Sequence, residues 1–179
     1  MEQSDFREIQ RTFFSLTGIP LEDRETNLIA EGRMRADTLF HSLADFLFEK
    51  PGALPGLLMR VRTWRERYDE ELFHAMEGYL HYLGENYREA AGCFFQSVAK
   101  NPGNLDSWLD LAFALHHLGN PYGAMILFNF PHVMALYREL GAGKCHYAML
   151  EKISKELDRR KLDYRYEARE AIAGMLAAS

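Results

Sequence analysis

Glu71 and His74 stand at the Glu-x-x-His spacing with which helical bundles hold iron. A di-iron centre takes two such pairs and two further carboxylates, and no second pair occurs in this chain. His116 and His117 are neighbours, with His81 a further imidazole, but adjacent side chains on a helix point in different directions. The ligand count for a metal is not met, so neither metal nor cofactor is expected. Arg60, Arg62, Arg65 and Arg67 surround Trp64 as in a nucleic-acid-binding helix, yet Glu66, Asp69, Glu70 and Glu71 crowd the same stretch. A solvated helix face accounts for them better. Cys93 and Cys145 lack the spacing of a zinc knuckle or a disulfide framework, which fits a reducing compartment. The chain has no phosphate-cradling Gly-rich loop, no His-Glu-x-x-His and no Gly-x-Ser-x-Gly. An enzyme is not expected.

The elements that carry these residues are helical by pattern. In 179 residues with 47% hydrophobic and 26% charged side chains the chain has the means to bury one core, and one domain is the expectation. Its 21 basic and 26 acidic side chains leave a net charge of −5, which disfavours a polyanionic partner. No apolar run reaches membrane-spanning or signal-peptide length, so a cytoplasmic location without membrane insertion is expected. Phe6, Ile9, Phe13 and Leu16 predict a first helix stopped at Gly18-Ile19-Pro20. A second is predicted from about Glu25 to Phe48, and "PGALPG" reads as a loop. Leu57, Val61, Trp64 and Tyr68 stripe a third helix. Near the end, Met149, Ile153 and Leu157 mark one helix, and Tyr164, Ala168, Ile172 and Met175 another.

Between these flanks the chain repeats itself. Gly78, Ala90 and Phe94 are followed at one constant interval by Ala112, Ala124 and Phe128, while Ala44 precedes Gly78 by the same interval. The first helices read Phe40, Leu43, Ala44, Leu47; then His74, Glu77, Gly78, His81; then Trp108, Leu111, Ala112, Leu115. Small residues let two helices approach, a Phe fills the wedge behind them, and Pro102 ends the second helix. The period and the residue types together resemble the tetratricopeptide repeat, a helix-turn-helix of about 34 residues with the pattern Trp-x-x-Leu-Gly-x-x-Tyr, Ala-x-x-x-Phe and Pro. His74, Glu77 and His81 depart from it, Arg60 stands where Phe94 and Phe128 stand later, and Pro131 predicts a break or kink in the last repeat. The resemblance implies an all-α fold of antiparallel helix-turn-helix repeats in a right-handed superhelix. Residues 37–138 would form the repeats, 1–36 an N-terminal helical cap and 139–179 C-terminal capping helices.

Such scaffolds bind proteins or peptides in a groove lined by the first helix of each repeat and are rarely catalytic. Carried onto this chain, the groove falls on His41, Asp45 and Phe48, on Ala75, Tyr79 and Tyr82, and on Leu109, Phe113 and His116. None is the Lys, Asn or Arg that grips an acidic chaperone tail, so the groove would take apolar side chains. Tyr79, Tyr82 and Phe113 either line it or are covered by flanking helices, and the sequence leaves both open. Residues 71–137 hold only Arg88 and Lys100 against Glu71, Glu77, Glu85, Glu89, Asp106 and Asp110, so this stretch needs cover from its own flanks or from another protein. The leading expectation is a non-catalytic adaptor, with a homo-oligomer as one option. Alternatives are a small export chaperone, given a similarity in length, charge and repeat content to those of type III secretion translocators, and an accessory subunit that presents a peptide to an enzyme.

Overall fold

The computed structural model describes residues 1–21, 35–140 and 146–163, with side chains of the second stretch from Leu39 onward. Among the described residues the protein is all-helical, with no strand: α1 (Gln3–Thr17), α2 (Arg35–Glu49), a 3-10 turn (Pro51–Ala53), α3 (Leu54–Tyr68), α4 (Glu71–Leu83), α5 (Tyr87–Lys100), α6 (Leu105–His117), α7 (Pro121–Glu139) and α8 (Tyr147–Arg160). The start of the second predicted helix, Cys145 and the helix marked by Tyr164, Ala168, Ile172 and Met175 lie outside the described residues. The chain divides into two compact units, Met1–Asn86 and Tyr87–Ser179.

In the first unit, Gly18 ends α1 with φ +75°, its N–H donating to the Phe14 carbonyl at 2.7 Å. Ile9 and Phe13 are buried as the stripe predicts, whereas Leu16 is exposed. The "PGALPG" segment is not all loop: Pro55 sits in the first turn of α3, where its missing N–H costs no helical hydrogen bond. Leu57, Val61 and Trp64 form the buried stripe of α3. Trp64 gathers Phe13 of α1 and Phe73 of α4 at ring-centroid distances of 6.5 and 6.1 Å.

The second unit is built on Trp108. Its Nε1 donates to the Pro102 carbonyl at 3.1 Å, and Tyr137 of α7 meets its ring edge-on at 5.1 Å. Ser97 and Ser107 satisfy each other at 2.8 Å between α5 and α6. Asn104 and Asn120 cap α6 and α7, each accepting from the N–H two positions on. Ile153 and Leu157 of α8 are buried, and Arg160 forks onto Glu139 of α7.

The repeat interval is kept by the helices themselves. α6 begins and ends one interval after α4, and α7 begins one interval after α5. The turns that close α4 and α6 match bond for bond: Asn86 N–H donates to His81 O at 2.8 Å and Asn120 N–H to Leu115 O at 2.9 Å. Glu85 (φ +59°) and Gly119 (φ +65°) hold the same left-handed position.

Inside the second helices the interval slips. Ala90, Phe94 and Val98 of α5 are buried, but at the repeat positions Ala124, Phe128 and His132 of α7 burial has passed to the next residue, Met125, Asn129 and Val133, whereas Ala91 and Phe95 keep buried counterparts in register at Met125 and Asn129. Phe128, expected as the wedge equivalent to Phe94, is 60% exposed, and Ala124 is only half-buried. Gly123 gives the reason. A Cβ there would stand 2.7 Å from the Ala112 carbonyl oxygen and 2.8 Å from the His116 nitrogen, so α7 seats on α6 at a glycine that comes before the expected alanine. A slip of one position is about 100° of helix rotation, enough to turn Phe128 out. The kink expected from Pro131 is present and centred at Asn129 (φ −120°, ψ 25°). Pro131 has no N–H for the Leu127 carbonyl, and buried Asn129 donates from its side chain to Met125 O at 3.2 Å.

Candidate partner-binding face

Three helices carry the residues expected to line a groove. On α2, His41, Asp45 and Phe48 fall at i, i+4 and i+7. All three are exposed, Phe48 to 90%. On α4, at the equivalent positions, Ala75 is buried, Tyr79 is 4% exposed and Tyr82 is half-buried. The cover comes from Phe40 of α2, whose ring stands edge-on to Tyr79 at 5.6 Å and to Tyr82 at 5.8 Å. Tyr79 is therefore a core residue, which corrects its expected role as a contact for a partner: an aromatic side chain of the same unit already holds that place.

On α6, Ser107, Trp108, Leu111, Ala112, Ala114 and Leu115 are buried. The Trp108–Pro102 hydrogen bond fixes the rotation of the helix, so the face opposite Leu111 and Leu115 turns outward. Leu105, Leu109, Phe113 and His116 form that face, Leu109 half-buried and the other three exposed, Phe113 to 48%. They span about three turns, roughly 17 Å. Asp106 and Asp110, both half-buried, are the acidic residues of this helix and run beside the stripe. His117 belongs elsewhere: its ring stacks on Tyr87 at 4.4 Å and lies 72° from the plane of His116.

Several of the residues considered for chemistry make contacts within the first unit. His74 is buried and shares a 2.8 Å hydrogen bond between its Nε2 and Asp69 Oδ1. Arg62 and Arg65 of α3 converge on Glu77 of α4: Arg62 Nε donates to Oε1 at 3.0 Å, and Arg65 Nε pairs with Oε2 at 2.6 Å. Glu77 is 3% exposed, with His81 Nε2 3.8 Å from Oε1. Burial pushes the Glu77 carboxyl upward, but His81, Arg62 and Arg65 outweigh it and hold its pKa below the ordinary value. Arg67 lies over the Tyr68 ring at 5.0 Å. The arginine cluster around Trp64 is thus partly a clamp on Glu77 and not only the solvated face expected of it.

Two features escaped the sequence reading. The Glu77 clamp had a signal, since a charge at a buried repeat position requires a partner and Arg62 and Arg65 lie one helix upstream. The Phe40 cover had a weaker one, because Phe40 reads equally well as a repeat-core residue. Among the described residues no helix is long and apolar enough to cross a membrane. No protein family, curated protein or solved structure matches the chain.

Proposed function

We propose that this chain is a non-catalytic adaptor of tetratricopeptide type, binding a partner protein through the Leu105, Leu109, Phe113 and His116 face of α6. The observation that carries the reading is the exposure of Phe113 on a helix whose other face is anchored by Trp108. A large aromatic held outward on a rigid helix beside two leucines is the composition of an interface core, where few residues carry most of the affinity.

The test is quantitative affinity purification from the native source with wild-type chain, Phe113→Ala and Phe48→Ala. A folded partner retained by wild type and Phe48→Ala, and reduced about tenfold or more by Phe113→Ala, supports the adaptor. Retention of unfolded exported clients would instead favour the chaperone alternative. Retention of a short precursor peptide would favour the accessory role. Equal retention by wild type and Phe113→Ala removes the α6 face from the account.

A further inference from the structure

The arginine pair on α3 carries more positive charge than its buried partner offsets. Glu77 supplies one carboxylate and two guanidiniums meet it, Arg62 Nε at Oε1 and Arg65 Nε at Oε2. Among the described residues Arg62 makes no other hydrogen bond or ion pair, so its Nη1 and Nη2 donate to no protein acceptor, and its side chain is 51% exposed. Beyond Glu77, Arg65 reaches only Glu66, Nη2 to Oε1 at 3.7 Å, a contact with an exposed carboxylate that water weakens. His81, with Nε2 3.8 Å from Glu77 Oε1, brings no negative charge.

Packing alone does not call for this clamp. One repeat on, Leu111 fills the position of Glu77 and is wholly buried. Apolar residues in place of a buried ion pair are often neutral or stabilising. What the carboxylate adds is orientation: it ties down two long side chains that would otherwise sample many rotamers. Ordering donors in advance lowers the cost of binding an anion.

We infer that Arg62 and Arg65, oriented by Glu77, form a binding site for a phosphoryl group, carried by a free phosphate compound or by a phosphorylated side chain. Two guanidiniums select this anion: a planar carboxylate is satisfied by one fork, whereas a phosphoryl group offers three acceptor oxygens and a charge of about −1.5 to −2 near neutral pH. The arginines stand at i and i+3 on α3, neighbours on its surface, with one of their two charges offset by Glu77. A polynucleotide is disfavoured, because Glu66, Asp69, Glu70 and Glu71 follow on the same stretch. The site lies within the first unit and does not rest on the adaptor reading.

The probe is inorganic phosphate, titrated near neutral pH and at constant ionic strength into the isotopically labelled full-length protein. The Nε–Hε signals of Arg62 and Arg65 are followed by NMR, which registers weak association. Saturable shifts at both arginines are expected, and chloride at the same ionic strength should not reproduce them. Arg62→Ala should weaken phosphate binding about tenfold, and Arg62→Lys, which keeps the charge and loses the fork, by about threefold or more. Melting temperatures are measured alongside, since Arg62 also holds Glu77, and Arg62→Lys keeps a cation there should Arg62→Ala fail to fold. Arg67→Ala removes a charge from the same helix, but Arg67 lies over Tyr68 and outside the clamp, so affinity should stay within about twofold. Shifts that do not saturate, shifts matched by chloride, or equal losses from Arg67→Ala and Arg62→Lys overturn the site and leave only general charge attraction. A phosphoserine tripeptide, compared with its unphosphorylated form and with inorganic phosphate, identifies the source. Binding tighter than phosphate by about threefold or more assigns the site to a phosphorylated side chain, and equal or weaker binding assigns it to a free phosphate compound. No saturable binding of either probe overturns the inference and leaves the α6 reading untouched.

Discussion

α4 and α6 are the same helix used in two ways. Both are 13 residues long, both close on the same left-handed turn, and both bury the same six positions: Phe73, His74, Glu77, Gly78, Leu80 and His81 in one, Ser107, Trp108, Leu111, Ala112, Ala114 and Leu115 in the other. On α4 the remaining face is also closed, because Phe40 lies on Tyr79 and Tyr82. On α6 Phe113 and His116 of that face are exposed. The shared positions make the fold, and the unshared ones are free to carry function. An aromatic residue at one repeat position is therefore core in one unit and surface in the other, and its type alone does not decide which.

The sharpest way to break this contrast is a matched pair of substitutions. Tyr79→Ala should destabilise by about 3–5 kcal/mol, since it empties a packed aromatic site, whereas Phe113→Ala should change stability by about 0.5 kcal/mol or less. Chemical denaturation of both variants measures the difference, and equal losses would erase the distinction between the two faces.

How far the sequence leads follows from the same pair. The kink at Pro131, the burial of Trp108, Leu111 and Ala112, and the placing of Leu109, Phe113 and His116 on the opposite face of their helix are legible, because each depends on local spacing along one helix; whether that opposite face is covered is not. Spacing alone misplaces Phe128, because its exposure depends on Gly123 meeting the backbone of α6, a tertiary contact that shifts the second helix by one position. It misplaces Tyr79 for a similar reason: the ring that covers it comes from α2, with all of α3 in between. Neither fact has a periodic signature.

Glu77 sharpens the comparison within the core. Its counterpart in α6 is Leu111, and its charge persists because Arg62 and Arg65 are at hand. Glu77→Gln should cost about 2 kcal/mol, less than for a wholly buried pair because both arginines retain solvent contact. The carboxyl has a lower pKa folded than unfolded, so its stabilisation is complete above its ordinary value of about 4.5 and is lost as pH falls through the folded value. Thermal melts should thus show a steeper acid loss for wild type than for Glu77→Gln. Parallel profiles would mean that the clamp contributes nothing.

Gly123 tests the slip in α7. Gly123→Ala should destabilise by about 1–3 kcal/mol by pressing a methyl group against the α6 backbone. An unchanged melting temperature would contradict the close approach that turns Phe128 outward. The smallest expected effect lies in the matched turns. Glu85 holds at φ +59° the position that Gly119 fills at φ +65°, so Glu85→Gly should stabilise by about 0.5–1 kcal/mol and Gly119→Ala should destabilise by a similar amount. Opposite signs in equilibrium denaturation support the equivalence of the turns, and equal signs refute it.

The central claim, that the Phe113 face of α6 is where a partner docks, is tested most directly by site-specific photo-cross-linking in the native source. A photoreactive phenylalanine analogue replaces Phe113 on α6 in one sample and Phe128 on α7 in another, both positions being large, aromatic and exposed in the same unit. The account predicts a discrete cross-linked partner from position 113 and none from position 128. A partner captured at 128 with nothing at 113 would contradict it.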